Sequence, residues 1–228
     1  MATPRKGYWL EIDGKNTRLP SVTTVLSRFK ESGGLMQWAF KQGQEGKASL
    51  YEERDKAAEC GTLAHEMVEI YINNPHSDKY MQVIKNVDAE MASQALNAFQ
   101  MFREWQEHNK IEIISEYQEI QMVSSKYHFG GTPDAIGRTV NGELILLDWK
   151  TSNSVYQDYL LQLAAYKLLW EENNPDQPIT GGFYLCRFSK EFPDFGVHYY
   201  GELEQAERMF LLLLEAHKID KELKKRVK

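Results

Sequence analysis

The chain of 228 residues is long enough to bury a full hydrophobic core, and this length favours one domain. Hydrophobic residues make up 42% and charged residues 26% of the sequence, which is typical of globular proteins and excludes a disordered chain. The formal net charge of −6 argues against a protein that coats duplex DNA through bulk electrostatics. It leaves open an enzyme of nucleic acids, in which acidic metal ligands lower the net charge while local basic patches bind phosphates.

The cysteines and the apolar segments exclude further classes of protein. Cys60 and Cys186 lie far apart and belong to no cluster with metal-ligand spacing, so we expect neither a zinc site nor an iron-sulfur cluster. No apolar run reaches the roughly 18 residues that a membrane span needs, and the first residues lack the apolar segment of a signal peptide. We therefore expect an unprocessed, soluble protein of a reducing cytoplasm, with no membrane partner.

Residues 1–110 are predicted to be mainly helical, and hydrophobic periodicity defines the elements. In chain order they are a hairpin of Tyr8 to Ile12 with Thr17 to Leu19, a helix capped by Ser21, a helix from Leu35, a helix over residues 61–73 and one long amphipathic helix from about Lys79 to His108.

The period of the apolar residues changes at Ile111, which predicts three antiparallel strands and then a crossover helix in residues 111–228. The predicted elements are strand segments at Ile111 to Ile113, at Ile120 to Met122, at Tyr127 to Arg138 and from Leu144, a helix from Tyr159 to Asn173, a strand from Gly181 to Phe188, a turn at Phe192-Pro193-Asp194, an edge strand from His198 to Tyr200 and a final helix from Glu202 to Lys225.

The sharpest chemical signal is Asp134 together with Asp148 and Lys150, on two segments joined by the turn at 141–142. Residues two apart on a strand point to the same side, so Asp148 and Lys150 share a face while Trp149 points the other way. Two carboxylates suit Mg²⁺ or Mn²⁺, with the backbone carbonyl of Trp149 as a further oxygen ligand. Lys150 is then placed to assist a metal-bound water and to stabilise charge on a phosphate. The alternative is an exposed hairpin with a salt bridge, but the apolar run Leu144 to Leu147 predicts a buried central strand.

Two helical motifs are candidates for the rest of the site. Gln162 and Tyr166 lie one turn apart on the helix that follows the strand, although a satisfied amide and a core tyrosine would explain them equally. His65 and Glu69 lie four residues apart on one helix face, and a lone helical histidine is more often structural than a ligand. His65 therefore belongs to the site only if it reaches the carboxylates.

The order of these motifs resembles the PD-(D/E)xK nuclease superfamily, in particular its RecB-type exonuclease branch. The motifs are Gly-Thr-x-x-His at 61–65, Gly-Thr-Pro-Asp at 131–134, Leu-Leu-Asp-Trp-Lys-Thr at 146–151 and Gln-Leu-x-x-Tyr at 162–166. The segments Pro20 to Leu26 and Asp148 to Ser152 are similar to those of the exonucleases of mitochondrial genome maintenance and their phage and bacterial relatives. The resemblance covers about Pro20 to Trp170.

The resemblance implies an α/β fold with a restriction-endonuclease-like core, that is, a mixed central sheet flanked by helices. It also assigns roles. Asp134 and Asp148 bind metal with His65 as a further ligand, Lys150 is catalytic, Gln162 and Tyr166 place DNA or the lysine, Thr151 and Ser152 adjoin the substrate within the same motif, and Glu69 matches a glutamate of less defined role. The relatives with an iron-sulfur cluster use four cysteines, which excludes that subgroup.

We therefore expect one nuclease domain over 1–228, with residues 1–110 as a helical elaboration on the sheet core. The expected activity is Mg²⁺- or Mn²⁺-dependent hydrolysis of DNA, most simply exonucleolytic on single strands, in a bacterial or phage-infected cell. Single-strand binding would use aromatic residues that either stack on bases or belong to the core, namely Trp38, Tyr51, Phe99 and Trp105. The alternatives are a structure-specific endonuclease, a duplex-end exonuclease of phage recombination, and a DNA-binding module with a silent site.

Overall fold

The computed structural model describes residues 7–29, 50–152, 154–188 and 195–227, with the backbone alone for 50–61. The predicted helix from Leu35, with Trp38, and the predicted turn at Phe192 to Asp194 lie outside the described residues. The side chains of Tyr51 and Cys60 lie outside them as well.

A hairpin and a short helix open the described chain, as predicted. Strands β1 (Tyr8–Ile12) and β2 (Lys15–Leu19) pair antiparallel. Helix α1 (Val22–Phe29) follows, and the hydroxyl of Ser21 accepts a hydrogen bond of 3.0 Å from the Thr24 amide. This is the N-cap contact that the sequence predicts, because the first amides of a helix lack partners within it.

Helices α2 (Leu50–Asn73) and α3 (Ala89–Asn109) make up the helical part that precedes the sheet. The prediction of one long helix from Lys79 is wrong. A 3₁₀ helix (Asp78–Gln82) and turns come first, and α3 begins only after Asp88, whose carboxylate accepts a 3.0 Å hydrogen bond from the Met91 amide. Asp88 has an extended backbone (ψ 153°), which no continuous helix could contain.

The main sheet has five strands in the order β3-β6-β7-β8-β9. Its strands are β3 (Glu112–Ile113), β6 (Ala135–Arg138), β7 (Leu144–Thr151), β8 (Phe183–Phe188) and β9 (Phe195–Tyr200). Strands β3, β6 and β7 are antiparallel, α4 (Gln157–Asn173) crosses over to β8, which is parallel to β7, and β9 returns antiparallel to β8. This mixed sheet flanked by helices confirms the predicted α/β fold.

The membership of the antiparallel strands differs from the prediction. Strands β4 (Met122–Ser124) and β5 (Phe129–Gly131) pair only with each other, as a separate two-stranded sheet. The predicted strand from Tyr127 to Arg138 is therefore wrong as one element, since the chain leaves β5 at Gly131 and enters β6 at Ala135. Pro133 lies in this break and has no amide hydrogen for a ladder.

Each face of the main sheet is covered by helices, so its central strand is apolar on both sides. On β7, Leu144 and Leu146 belong to the core under α1, α4 and α5 (Glu204–Arg226), whereas Ile145 and Leu147 belong to the core under α2 and α3. Trp149 continues the second set and packs edge-to-face on Phe102, with ring centroids 5.1 Å apart. Among the described residues, no helix combines the length and the hydropathy of a membrane span.

Two of the aromatic residues that would either stack on bases or belong to the core lie in this core or pack against it. Phe99 is 1% exposed and contacts the rings of Tyr71 and Tyr80. Trp105 packs against Tyr184 and Phe195 of the sheet, with centroids 5.9 and 6.0 Å away. Of the two alternatives that the sequence left open for these side chains, packing on other aromatic rings of the core is therefore the one that the structure supports.

Candidate active site

Asp148 and Lys150 extend from the same face of β7 near its end. The Asp148 side chain is fully buried, and Lys150 Nζ lies 2.5 Å from its Oδ2. Apart from this ion pair, neither Asp148 oxygen has a hydrogen-bond partner in the described part of the chain. A buried carboxylate in this state is costly, because desolvation favours its neutral form.

Asp134, the residue directly before β6, lies beside this pair. Its Oδ2 accepts a 2.6 Å hydrogen bond from the backbone amide of Trp149. The contact forms because Ala135 pairs with Leu147 across the β6–β7 ladder, which leaves the Trp149 amide facing the residue before the ladder begins. The antiparallel register thus brings both aspartates to one point.

Burial dominates the electrostatics of the two aspartates. It raises the pKa of Asp148 to about 7, although Lys150 acts in the opposite direction, and the neighbouring Asp134 raises it further. Burial also raises the pKa of Asp134. For Lys150, burial lowers the pKa, but Asp148 and Asp134 outweigh that effect, so its pKa lies above the usual value. Lys150 therefore remains an ammonium at neutral pH.

His65 reaches the cluster from helix α2, as the sequence required for any role in the site. Its Nε2 lies 3.9 Å from Asp134 Oδ1, and the side chain is 33% exposed. Burial lowers the pKa of His65, against the attraction of Glu119. The imidazole is therefore neutral at pH 7, which is the form that can ligate a metal.

Glu119 is a residue at this site that the sequence analysis did not identify. Its φ of +48° is unusual for a glutamate, and its amide donates a 3.1 Å hydrogen bond to the Asp134 carbonyl. Burial and then Glu119 raise the pKa of Glu69, so Glu69 and Glu119 lie near one another beside His65. Glu119 directly precedes the predicted strand segment Ile120 to Met122, but no motif in the sequence marks it as part of a site.

Helix α4 places Gln162 and Tyr166 over the aspartates. The Gln162 amide donates a 2.7 Å hydrogen bond to the Tyr166 hydroxyl oxygen. Burial, and then Asp148 and Asp134, raise the pKa of Tyr166 far above its usual value, so it stays a phenol. Since its oxygen already accepts from Gln162, the Tyr166 hydrogen is available to another acceptor.

Thr151 and Ser152 lie at the end of β7. Thr151 is half-buried, whereas Ser152 is buried and its hydroxyl donates a 2.8 Å hydrogen bond to the Ser154 carbonyl. Arg187 Nη1 donates to the Ser152 carbonyl at 3.2 Å. The Ser152 side chain is thus engaged in the turn after β7, and a contact of either residue with substrate stays a prediction.

The backbone of β7 directs one further oxygen towards Asp134. The amides of Leu146 and Ser152 donate towards β8 and the residue before it, so even-numbered residues of β7 face β8. The Trp149 amide faces Asp134 instead. Because the N–H and C=O of one strand residue point to the same side, the Trp149 carbonyl also faces Asp134.

These donors suit a hard divalent cation. The two carboxylates and the carbonyl are oxygen ligands of the kind that Mg²⁺ and Mn²⁺ prefer, and apart from the ion pair with Lys150 the Asp148 oxygens have no hydrogen-bond partner among the described residues. In the described ranges, no three His, Cys, Asp or Glu side chains stand in a metal-binding arrangement. Asp134, Asp148 and the Trp149 carbonyl are the groups that could hold such a cation, with His65 on the side of Asp134.

Known proteins match this chain at the level of family and structure. The family model described as the PD-(D/E)XK nuclease superfamily matches residues 35–227. Comparison with curated protein sequences returns no match. Among solved structures, a protein of Eubacterium rectale described as an exonuclease is 14% identical with a TM-score of 0.47, over 71% of this chain and 65% of its own length. The structure named SSO0001 is 16% identical with a TM-score of 0.34, over 72% of this chain and 81% of its own. Because the family model matches most of the sequence, the chain belongs to the PD-(D/E)XK superfamily of nucleases.

Proposed function

We propose that this nuclease hydrolyses DNA phosphodiesters with Mg²⁺ or Mn²⁺ and acts from the ends of single strands. The observation that carries the proposal is the fully buried Asp148, which is ion-paired with Lys150, lies beside Asp134 and has no further hydrogen-bond donor among the described residues. Such a cluster costs stability, and a fold gains from it only if a cation and a phosphate use it.

When bound at Asp134 and Asp148, the divalent ion would lower the pKa of a coordinated water and polarise the phosphate. Lys150 acts as a hydrogen-bond donor and not as a general base, because the two aspartates hold it protonated. Its ammonium is placed to stabilise negative charge that develops on the phosphate oxygens. Removal of such a donor typically costs about 10²–10³-fold in rate.

Residues of the two helices complete the proposed site. His65 supports the metal from the side of Asp134, and Glu69 lies one helical turn from it as a further group. Tyr166 donates its hydrogen to a phosphate oxygen while Gln162 holds its orientation. Thr151, at the end of β7, adjoins the bound DNA strand. These roles rest on proximity to the aspartates.

The test compares linear single-stranded, linear duplex and circular single-stranded DNA, each in Mg²⁺, Mn²⁺ or EDTA, with the linear forms labelled at one end. Hydrolysis of linear single strands with release of short products, and survival of the circles, is the expected result. Cutting of the circles would refute the exonuclease and indicate an endonuclease. Preference for the duplex would indicate a duplex-end exonuclease.

The site assignment is tested with Asp148→Asn and Lys150→Met, next to Lys79→Ala as a control on an exposed lysine. We expect the first two variants to lose hydrolysis and the control to keep it. Full activity in either site variant would show that the assigned cluster is not catalytic. Binding of DNA without hydrolysis by the wild-type protein, in both metals, would indicate a silent binding module.

A further inference from the structure

A basic groove of about 680 Å³ lies outside the carboxylate cluster, between the β1–β2 hairpin, α1 and the last turns of α5. Its size is within the range of about 300–1,000 Å³ that is usual for sites of small ligands. Its charged lining is mainly cationic and consists of Arg18, Arg28, Lys221, Lys224 and Asp220.

The groove has a positive charge that the neighbouring carboxylate only partly cancels. Asp220 pairs with Arg28 at 2.7 Å and with Lys224 at 2.9 Å. Arg18 and Lys221 are exposed, and neither forms an ion pair within the described part of the chain. His217, which also lines the groove, is neutral at pH 7, so four cations and one carboxylate leave a local charge of +3 on a chain whose net charge is −6.

The pKa of His217, on the wall of the groove, is affected by this positive charge. Burial lowers its pKa, and the cations Lys221 and Lys224 act in the same direction. The histidine is thus neutral at pH 7 and adds a polar surface without cancelling or increasing the charge.

Tyr8 connects the groove to the carboxylate cluster. It lines the groove, and its hydroxyl hydrogen-bonds the Thr132 hydroxyl at 2.9 Å, two residues before Asp134. Its ring packs so closely on Gly130 that a Cβ there would clash with it. The Gly130 amide also donates a 3.0 Å hydrogen bond to the carbonyl of Pro20, another lining residue. One end of the groove therefore adjoins the segment that carries Asp134.

We propose that this groove binds phosphate groups of a nucleic-acid strand whose neighbouring phosphodiester lies at Asp134 and Asp148. The inference rests on the proposed function and adds a second, non-catalytic contact region to it. Unpaired cations recognise phosphates without regard to base identity. Tyr8 is the only Phe, Tyr or Trp side chain among the described lining residues, so the groove has no extended platform for stacking bases.

The test measures binding of a fluorescein-labelled oligothymidylate in EDTA, so that hydrolysis plays no part. The test variant is the double substitution Arg18→Ala with Lys221→Ala, and the matched control is Lys79→Ala with Lys85→Ala, which removes two exposed lysines outside the groove. We expect the test variant to bind about tenfold or more weakly at low salt, and the slope of log K against log salt to fall by about 1.4, since each single-strand phosphate contact contributes about 0.7. The control should keep the wild-type affinity and slope.

A second variant changes affinity in the opposite direction, which misfolding cannot imitate. Asp220→Asn releases Arg28 and Lys224 from their ion pairs, so it is expected to bind the oligothymidylate more tightly than the wild type. Equal affinity and equal salt slope in the double variant and its control would overturn the proposal that the groove binds phosphates. Unchanged or weaker binding by Asp220→Asn would contradict its electrostatic basis.

The source of the phosphate is distinguished by oligothymidylates with a 5′-phosphate, a 3′-phosphate or hydroxyls at both ends. An equal loss of affinity of the double variant for all three oligothymidylates indicates that the groove binds internal phosphodiesters. A loss confined to the oligothymidylate with a 5′-phosphate, or to the one with a 3′-phosphate, indicates that it binds that terminal phosphate. The proposed function is judged separately by hydrolysis in the wild-type protein. If the wild type cuts DNA but the double variant binds like its control, only the proposal that the groove binds phosphates is refuted. If the wild type never cuts DNA, the proposed function fails, and the binding measurement still shows whether the groove binds phosphates.

Discussion

Replacement of Asp148 by Asn is expected to stabilise the fold at neutral pH while it removes hydrolysis. The wild-type carboxylate is fully buried, and its desolvation outweighs the attraction of the Lys150 ammonium, so its ionised form is disfavoured in the native state. Asn has the same shape and no charge. The substitution therefore resembles a permanent protonation of Asp148.

The magnitude follows from the pKa of Asp148, which burial raises from 3.8 to about 7. A group whose pKa is higher in the folded state contributes stability that is complete below the unfolded pKa and is lost as the pH rises through the folded pKa. The wild-type protein should therefore lose stability between about pH 4 and pH 7, and the loss amounts to roughly 4 kcal/mol at 1.36 kcal/mol for each pH unit. The effect of Lys150 is already contained in the folded pKa.

The assay is urea unfolding of the wild type and Asp148→Asn in EDTA at several values between about pH 4 and pH 8. The variant's excess free energy of unfolding should be small at the acidic end, rise with pH and reach its plateau at about pH 7. Asp176→Asn, which alters an exposed aspartate in the turn after α4, serves as the control and should show no such rise. A difference that does not change with pH, or a variant less stable than the wild type at about pH 8, would refute the reasoning.

Three further substitutions test packing and hydrogen bonds around the site. Glu172→Ala removes a carboxylate that accepts four hydrogen bonds from the β4–β5 turn; burial raises the pKa of Glu172, but these hydrogen bonds outweigh it and lower the pKa. We expect the free energy of unfolding, measured in urea, to fall by about 1–3 kcal/mol above the unfolded pKa and this loss to disappear as the pH falls. A loss of stability that does not depend on pH would contradict this. Phe102→Ala should cost about 3–5 kcal/mol because Phe102 is fully buried against Trp149, and an unchanged melting temperature would contradict that packing. Gly131→Ala places a Cβ against Tyr166, so both stability and hydrolysis should fall; a variant as active as the wild type would show that Tyr166 does not need its present position.

Spacing within single elements was enough to predict the central part of the site. Asp148 and Lys150 share a face and Trp149 points into the opposite core because successive side chains of a strand alternate. Gln162 and Tyr166 are hydrogen-bonded because residues four apart are neighbours on a helix. The Ser21 cap is equally local.

Local patterns failed where two arrangements share the same periodicity. The apolar residues before α3 continue the helical spacing, but the extended backbone at Asp88 and its capping hydrogen bond begin a new helix. The predicted strand from Tyr127 divides because the break with Pro133 sends β5 and β6 to different sheets. Apolar spacing indicates which face is buried and does not indicate whether the chain is continuous.

The sequence by itself therefore determined that Asp148 and Lys150 share one face of a strand and that Gln162 and Tyr166 share one turn of the next helix, since each pair depends on spacing within a single element. Asp134 joins them through the pairing of the two strands that the predicted hairpin connects. Only the tertiary structure decided that His65 lies 3.9 Å from Asp134, that Glu119 lies beside it and that Tyr8 connects a basic groove to the same segment. Which helices and hairpins meet there depends on how both faces of the sheet are covered, and residues far apart in sequence meet through that packing alone.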